Sequence, residues 1–325
     1  MIIANFTPFP GQHCETTATG SLLQHLGITL SEPMLFGLGE GLGFIYWDQR
    51  GMDFPFIGGR SKPDALTTRL AANLGLALEV HETASLRSAW EHVQRWIDQS
   101  IPVGLKLDCF YLDYFTQKFH FAGHYVALYG YDADTAYLVD TQQQGGAVSV
   151  PLDSLAAARN AKGPMSSRNR SYTIKPAALP ELPEVVRGAI RQNAAAYLSA
   201  PISNFGHRGI EKTSREMVKW PERSHNLAAD LAYTSSLMER GGTGGALFRN
   251  LYRDFLGESL ALLNDPHLEA AYGMFCQNAP RWSEVAGLIG RAAQEEPQAP
   301  LAEAAAILRE LAGAEKAAMA ELAQI

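Results

Sequence analysis

Apolar and polar positions along this chain change their period several times, and each change marks an element. Pro8 and Pro10 exclude a helix at the outset, but from Cys14 onward Ala18, Leu22, Leu23 and Leu26 recur at helical spacing until Gly27 supplies a stop. The same spacing returns after Pro63 in Leu66, Leu70 and Leu74, ended by Gly75. Ala77 to His81 predicts a short strand, and Ser85 caps a helix carrying Leu86, Ala89, Val93, Trp96 and Ile97. Ile101, Val103, Leu105 and Leu107 then alternate cleanly with their neighbours, the period of a strand. Two further strands, 124–131 and 136–141, flank the polar turn Asp132-Ala133-Asp134-Thr135 and predict a hairpin. Pro176, Pro180 and Pro183 mark a linker, beyond which everything has helical period: 184–199, 211–220, 226–240, 246–264, a shorter pair around 268–294, and the alanine-rich 301–324. The expected class is α+β, with an antiparallel-sheet domain over residues 1–175 and an all-helical domain over residues 176–325.

One stretch fits neither period. Residues 30–60 hold seven glycines (37, 39, 41, 43, 51, 58 and 59) among large aromatics, which implies sharp turns or close backbone approach. Its GLGEGLG run is not a dinucleotide fingerprint, because Leu42 occupies the third glycine position and no clean strand precedes it. Two readings stay open: a buried irregular hairpin beside the core, or the wall of a substrate pocket lined by Glu40, Tyr46 and Trp47.

Composition narrows the class of function. The 325 residues exceed a comfortable single core, and 46% apolar with 19% charged residues suits a folded globular protein. A formal net charge of −7 argues against nucleic acid as the main partner. The opening residues lack a basic, then apolar, secretory pattern, and the most apolar stretch is broken by Glu40 and glycines, so a cytoplasmic protein with no membrane span is expected. Three cysteines, Cys14, Cys109 and Cys276, are too few and too scattered for a disulfide framework or a metal site.

The candidate chemistry lies where the first helix meets the hairpin. Cys14 opens a helix, where unpaired backbone N–H groups and the positive end of the macrodipole favour a thiolate. His124 is in phase with Val126 and Leu128, and Asp140 with Ala136 and Leu138, so both point toward apolar surroundings. A buried imidazole and a buried carboxylate each need a partner and satisfy one another. A carboxylate on one ring nitrogen fixes the tautomer and frees the other nitrogen to take a proton from a thiol. His13 and Glu15 flank the nucleophile and are expected to be surface or capping residues.

Cys14, His124 in HYVALYGYD and Asp140 in YLVDT resemble the papain-like cysteine enzymes of the bacteriocin-processing peptidase type. The wider set HCETTA, LSEPMLFGLGEGLGFIYW, HFAGHYVALYGYD and RGGTGGALFRNLYRDFL resembles the butirosin biosynthesis protein H family over residues 11–263. That resemblance implies a papain-like acyltransferase that moves an acyl group from the phosphopantetheine thioester of an acyl carrier protein to its cysteine, then to a small-molecule amine. It would need no cofactor of its own. Cys14 would be the nucleophile, His124 the base and acid, and Asp140 the orienting carboxylate. The papain pattern has a glutamine about six residues before the cysteine as an oxyanion donor; Pro8 stands there instead, and Gln12 is the nearest replacement.

A cysteine hydrolase acting on a thioester, amide or peptide would use the same triad with water as acceptor, so both activities stay open at this level. A catalytically idle binding module is disfavoured by the presence of all three residue types in order. The stretch 159–175 carries five basic residues and no acidic one, which predicts a solvated loop and closing strand or a dock for an acidic carrier protein. The Gly241–Gly245 run either offers N–H groups to an anion or is a helix-to-helix turn. The helical domain is expected to cap the catalytic cleft or to form a homo-oligomer contact.

Overall fold

A computed structural model describes residues 1–116, 118–163 and 165–325. The chain divides into two compact units, Met1–Leu35 with Pro63–Leu179, and Phe36–Lys62 with Pro180–Ile325. The later break falls within the proline-rich linker. The earlier one was not expected: Phe36–Lys62, assigned from sequence to the first domain, lies in the second unit.

In chain order the helices are α1 (Cys14–His25), α2 (Glu32–Leu38), α3 (Ala65–Asn73), α4 (Leu86–Asp98), α5 (Leu152–Asn160), α6 (Leu182–Leu198), α7 (Gly206–Glu216), α8 (Leu227–Arg240), α9 (Arg249–Leu260), α10 (Pro266–Ala292) and α11 (Gln298–Leu322). The strands are β1 (Leu42–Trp47), β2 (Phe56–Arg60), β3 (Ala77–His81), β4 (Val103–Leu107), β5 (His124–Tyr131), β6 (Thr135–Val139), β7 (Ala147–Pro151) and β8 (Ser171–Lys175).

The first unit is built on a six-stranded antiparallel sheet in the order β3-β8-β4-β5-β6-β7. β4 lies inside it, and all five of its residues are buried, which is why its sequence is apolar on both faces apart from Lys106. Val126, Leu128, Ala136 and Leu138, the positions in phase with His124 and Asp140, enter one core with Val103, Leu105 and Leu107 of β4, Val93 and Ile97 of α4 and Leu155 of α5. α1 packs against β5, with Gly27 at φ 78° just past its end; Gly75 after α3 is likewise left-handed, at φ 67°. The Ser85 hydroxyl caps α4 by accepting the Ser88 N–H at 3.2 Å.

In the second unit, β1 and β2 form an antiparallel pair, so the glycine-rich stretch is a hairpin preceded by α2, a helix not foreseen from sequence. The remainder is helical. The expected short pair near 268–294 is instead the single 27-residue helix α10, which carries Pro280 in its interior. A mid-helix proline costs about 3 kcal/mol, and the burial of Phe275, Ala279, Trp282 and Val285 around it offsets that loss. Among the described residues no helix is long and apolar enough to cross a membrane.

Candidate active site

Cys14 is the first residue of α1, half-buried, with extended His13 before it. The turn that presents it is held by a residue on another helix. The Glu32 carboxylate of α2 accepts the backbone N–H of Gln12 at 2.9 Å, the backbone N–H of His13 at 2.8 Å and the Thr16 hydroxyl at 2.7 Å. Burial raises the Glu32 pKa from its ordinary value, and the donors from His13, Gln12 and Thr16 only partly oppose this. The Gly11 carbonyl accepts the Gln142 N–H at 2.9 Å, tying the same turn to the segment just after Asp140.

His124 and Asp140 meet at one end of the sheet. Leu107 pairs with His124 at the start of β5, and Val139, the last residue of β6, pairs with Ala127, so Asp140 leaves its strand beside the histidine. The His124 Nε2 lies 2.7 Å from Asp140 Oδ2; the carboxylate is fully buried and the imidazole nearly so. Asp140 Oδ2 also accepts the Tyr114 hydroxyl at 2.7 Å, and Oδ1 accepts the Thr141 N–H at 2.6 Å. The Phe115 ring meets the imidazole edge-on, with centroids 5.3 Å apart at 87°.

With Nε2 committed to Asp140, Nδ1 is the ring nitrogen left for a second partner, and the Cys14 sulfur is near enough to act on the imidazole. Burial by itself pulls the His124 pKa down; the Asp140 carboxylate and then the Cys14 sulfur override it and hold the imidazole at about 10. The neighbouring Tyr114 phenol is pushed well above its ordinary range by burial and then by the Asp140 charge. Cys109 is buried, and its pKa is pushed up to about 12 by burial, then by Asp108, Asp140 and Cys14, which makes it a poor nucleophile.

The structure thus brings Cys14, His124 and Asp140 together within the first unit. Gln12 is exposed two residues before the cysteine, with its backbone N–H on Glu32. Glu40, Tyr46 and Trp47 belong to the second unit. There Glu40 is 5% exposed with a left-handed φ of 50°, Tyr46 is fully buried, and Trp47 is 40% exposed.

One sequence expectation about neighbouring residues is overturned. His13 and Glu15 are not surface residues: they are 3% and 0% exposed, and Glu15 accepts the Thr67 N–H at 3.0 Å, tying α1 to α3. In the basic stretch 159–175, in which Pro164 lies outside the described residues, the expected closing strand is β8 and Lys162 and Arg168 are exposed, while the other three cations are buried or paired. Arg159 is buried on α5, Arg170 pairs with Asp64 at 3.0 Å and with Glu82 at 2.7 Å, and Lys175 pairs with Glu79 at 2.7 Å. Sequence reading missed Glu32 and Tyr114, because each acts on the triad from a separate element and neither stands in a motif. The only local signal for Glu32 was an acidic residue at the start of a short helix, an ordinary place for one.

Residues 13–141 match the family model for butirosin biosynthesis protein H, N-terminal, and residues 153–322 match a domain of unknown function, DUF4872. A search of curated proteins returned no match. The first match begins one residue before the cysteine and ends one residue after the aspartate, so it spans all three residues of the candidate triad. The chain belongs to the family defined by the domain of unknown function DUF4872, which spans just over half of it, and the match over residues 13–141 supports a butirosin biosynthesis protein H-like N-terminal part.

Proposed function

We propose that this protein is a papain-like cysteine acyltransferase of specialised metabolism, moving an acyl group from the phosphopantetheine thioester of an acyl carrier protein to a small-molecule amine. The observation that carries this reading is the imidazole between Asp140 and Cys14: one ring nitrogen is fixed by a buried carboxylate, and a cysteine sulfur at a helix N-terminus is near enough to act on the same ring. The order Cys, His, Asp and the family match support the papain-like assignment.

In the first half-reaction the Cys14 sulfur attacks the thioester carbonyl, a new carbon–sulfur bond forms, and the pantetheine thiolate leaves with the proton held on His124. In the second, the amine nitrogen attacks the acyl-enzyme, His124 takes the amine proton, and the bond to Cys14 breaks to give an amide. Backbone N–H groups at the start of α1 and the Gln12 amide are the donors we assign to the oxyanion. The first unit is the catalytic domain, and Glu40, Tyr46 and Trp47 remain the proposed substrate-binding residues. The reaction needs no cofactor beyond the carrier's pantetheine, and a cytoplasmic location fits it.

Intact-protein mass spectrometry with an acyl-loaded carrier protein tests the reading. We expect an acyl adduct that is absent in Cys14→Ser and is discharged faster by amines than by water. Rapid release of free acid instead would make the protein a hydrolase, and turnover persisting in Cys14→Ser would refute the nucleophile.

A further inference from the structure

Arg159 on α5 is 3% exposed, yet no carboxylate among the described residues pairs with it. Its Nη1 and Nη2 donate to the Ala89 carbonyl at 3.4 and 3.3 Å, Nη2 donates to the Asn169 carbonyl at 3.2 Å, and Nε has no partner among the described residues. Charged groups this deeply buried are ordinarily paired, and these bonds are long for a charged donor. Burial pulls the Arg159 pKa down to about 10, with no nearby anion offsetting it.

The side chain also lines a pocket of about 340 Å³, walled by Leu86, Trp90, Leu152, Leu155 and Asn169. Arg168 and Asn169 are consecutive non-glycine residues in left-handed conformation, at φ 53° and 51°, and Asn169 both donates to and accepts from Arg159. Such strain persists where the surroundings over-determine the backbone, often at ligand clamps. Two other charges face the pocket. Arg87 is exposed and tied to Glu91 at 2.6 Å, and Asp153 is an exposed carboxylate that disfavours a doubly negative occupant.

We propose that this pocket binds a small amphipathic monocarboxylate, its apolar body against Leu86, Trp90, Leu152 and Leu155 and its anionic head at the Arg159 guanidinium. The guanidinium fork matches a carboxylate, and the long bonds to Ala89 and Asn169 are readily exchanged for charge-assisted ones. None of Cys14, His124 and Asp140 lines the pocket, so the site is separate from the triad and does not depend on the acyl-transfer reading.

Calorimetric titration of the full chain with octanoate, benzoate and inorganic phosphate tests it. Octanoate is expected to saturate one site per chain, to bind Cys14→Ala equally well, and to bind about tenfold or more weakly to Arg159→Met. Ala156→Trp fills the pocket while leaving the cation in place, and it should weaken binding as much; it decides the matter should Arg159→Met not fold. The proposal fails if octanoate shows no saturable binding up to about 10 mM, if phosphate binds as tightly as octanoate, or if Ala156→Trp binds octanoate undiminished.

Discussion

Replacing Asp140 by asparagine removes one charge from the triad and little else. The new carboxamide would keep an oxygen for the Thr141 N–H and fill the same buried volume, but His124 would lose the carboxylate 2.7 Å from its Nε2. A unit charge about 4 Å away at an effective dielectric near 20 is worth about 4 kcal/mol, equivalent to about three pH units. That is the larger part of the rise of the imidazole from its ordinary 6.5 to about 10, with the Cys14 sulfur adding to it and burial opposing it. Without it the His124 pKa should fall to near neutrality, and a thiolate–imidazolium pair would lose its proton about two to three pH units earlier, roughly at neutral pH. Because the folded-state value is raised, the stability this ion pair contributes is fully present below pH 6.5 and is lost as pH rises through about 10; in Asp140→Asn that window collapses.

The rate of carboxamidomethylation of Cys14, followed from about pH 5 to 10.5, reads the pair directly. Wild type should keep one pH dependence across neutrality up to its transition near 10, whereas in Asp140→Asn the transition moves to about 7. Acyl-enzyme formation should drop about 10²- to 10³-fold, the kinetic equivalent of about 3–4 kcal/mol. An unchanged alkylation profile together with undiminished acylation would refute the view that Asp140 sets the charge of His124.

Three further outcomes follow from particular contacts. Glu32→Gln should slow acylation by about 10- to 100-fold with the alkylation profile of Cys14 retained, because the turn before the nucleophile loses its charged acceptor for Gln12, His13 and Thr16; the acid limb of the wild-type pH–rate profile, set above the ordinary carboxylate value by the buried Glu32, should disappear in the variant. Tyr114→Phe removes one of the two side-chain donors on Asp140 Oδ2 and should cost about 1 kcal/mol, seen as a fall in kcat with KM held, and no tyrosinate ionisation should be seen at working pH. In the second unit, Glu315 accepts Arg249 Nε at 2.8 Å and Trp282 Nε1 at 2.6 Å with every partner buried. Arg249→Met should therefore destabilise by about 3–5 kcal/mol in denaturant unfolding, and Arg249→Met with Glu315→Leu should recover much of it, since paired removal leaves no uncompensated charge.

Elements with a strong local period were legible. The run from Cys14 to Gly27 is a helix with a left-handed stop, 77–81 and 124–131 are strands, and most of the C-terminal helices lie where their spacing places them. The pairing of His124 with Asp140 was legible too, because a hairpin fixes which residues share a face and a buried imidazole needs a partner. The helix α10 departed from expectation because packing around Phe275 and Trp282 offsets what a local rule counts against Pro280.

The amino-acid order by itself determined most of the elements, the hairpin and the identities of the three candidate residues, since period and capping act over a few positions and need no knowledge of the rest of the chain. Tertiary structure alone decided that Glu32 holds the turn before Cys14, that Tyr114 shares Asp140, that His13 and Glu15 are interior, that Phe36–Lys62 joins the second unit, and that Arg159 is a buried cation with no counterion among the described residues. Each of these is a contact between side chains or segments far apart along the chain. Burial and electrostatic coupling depend on what surrounds a group in space, and no local spacing rule carries that information.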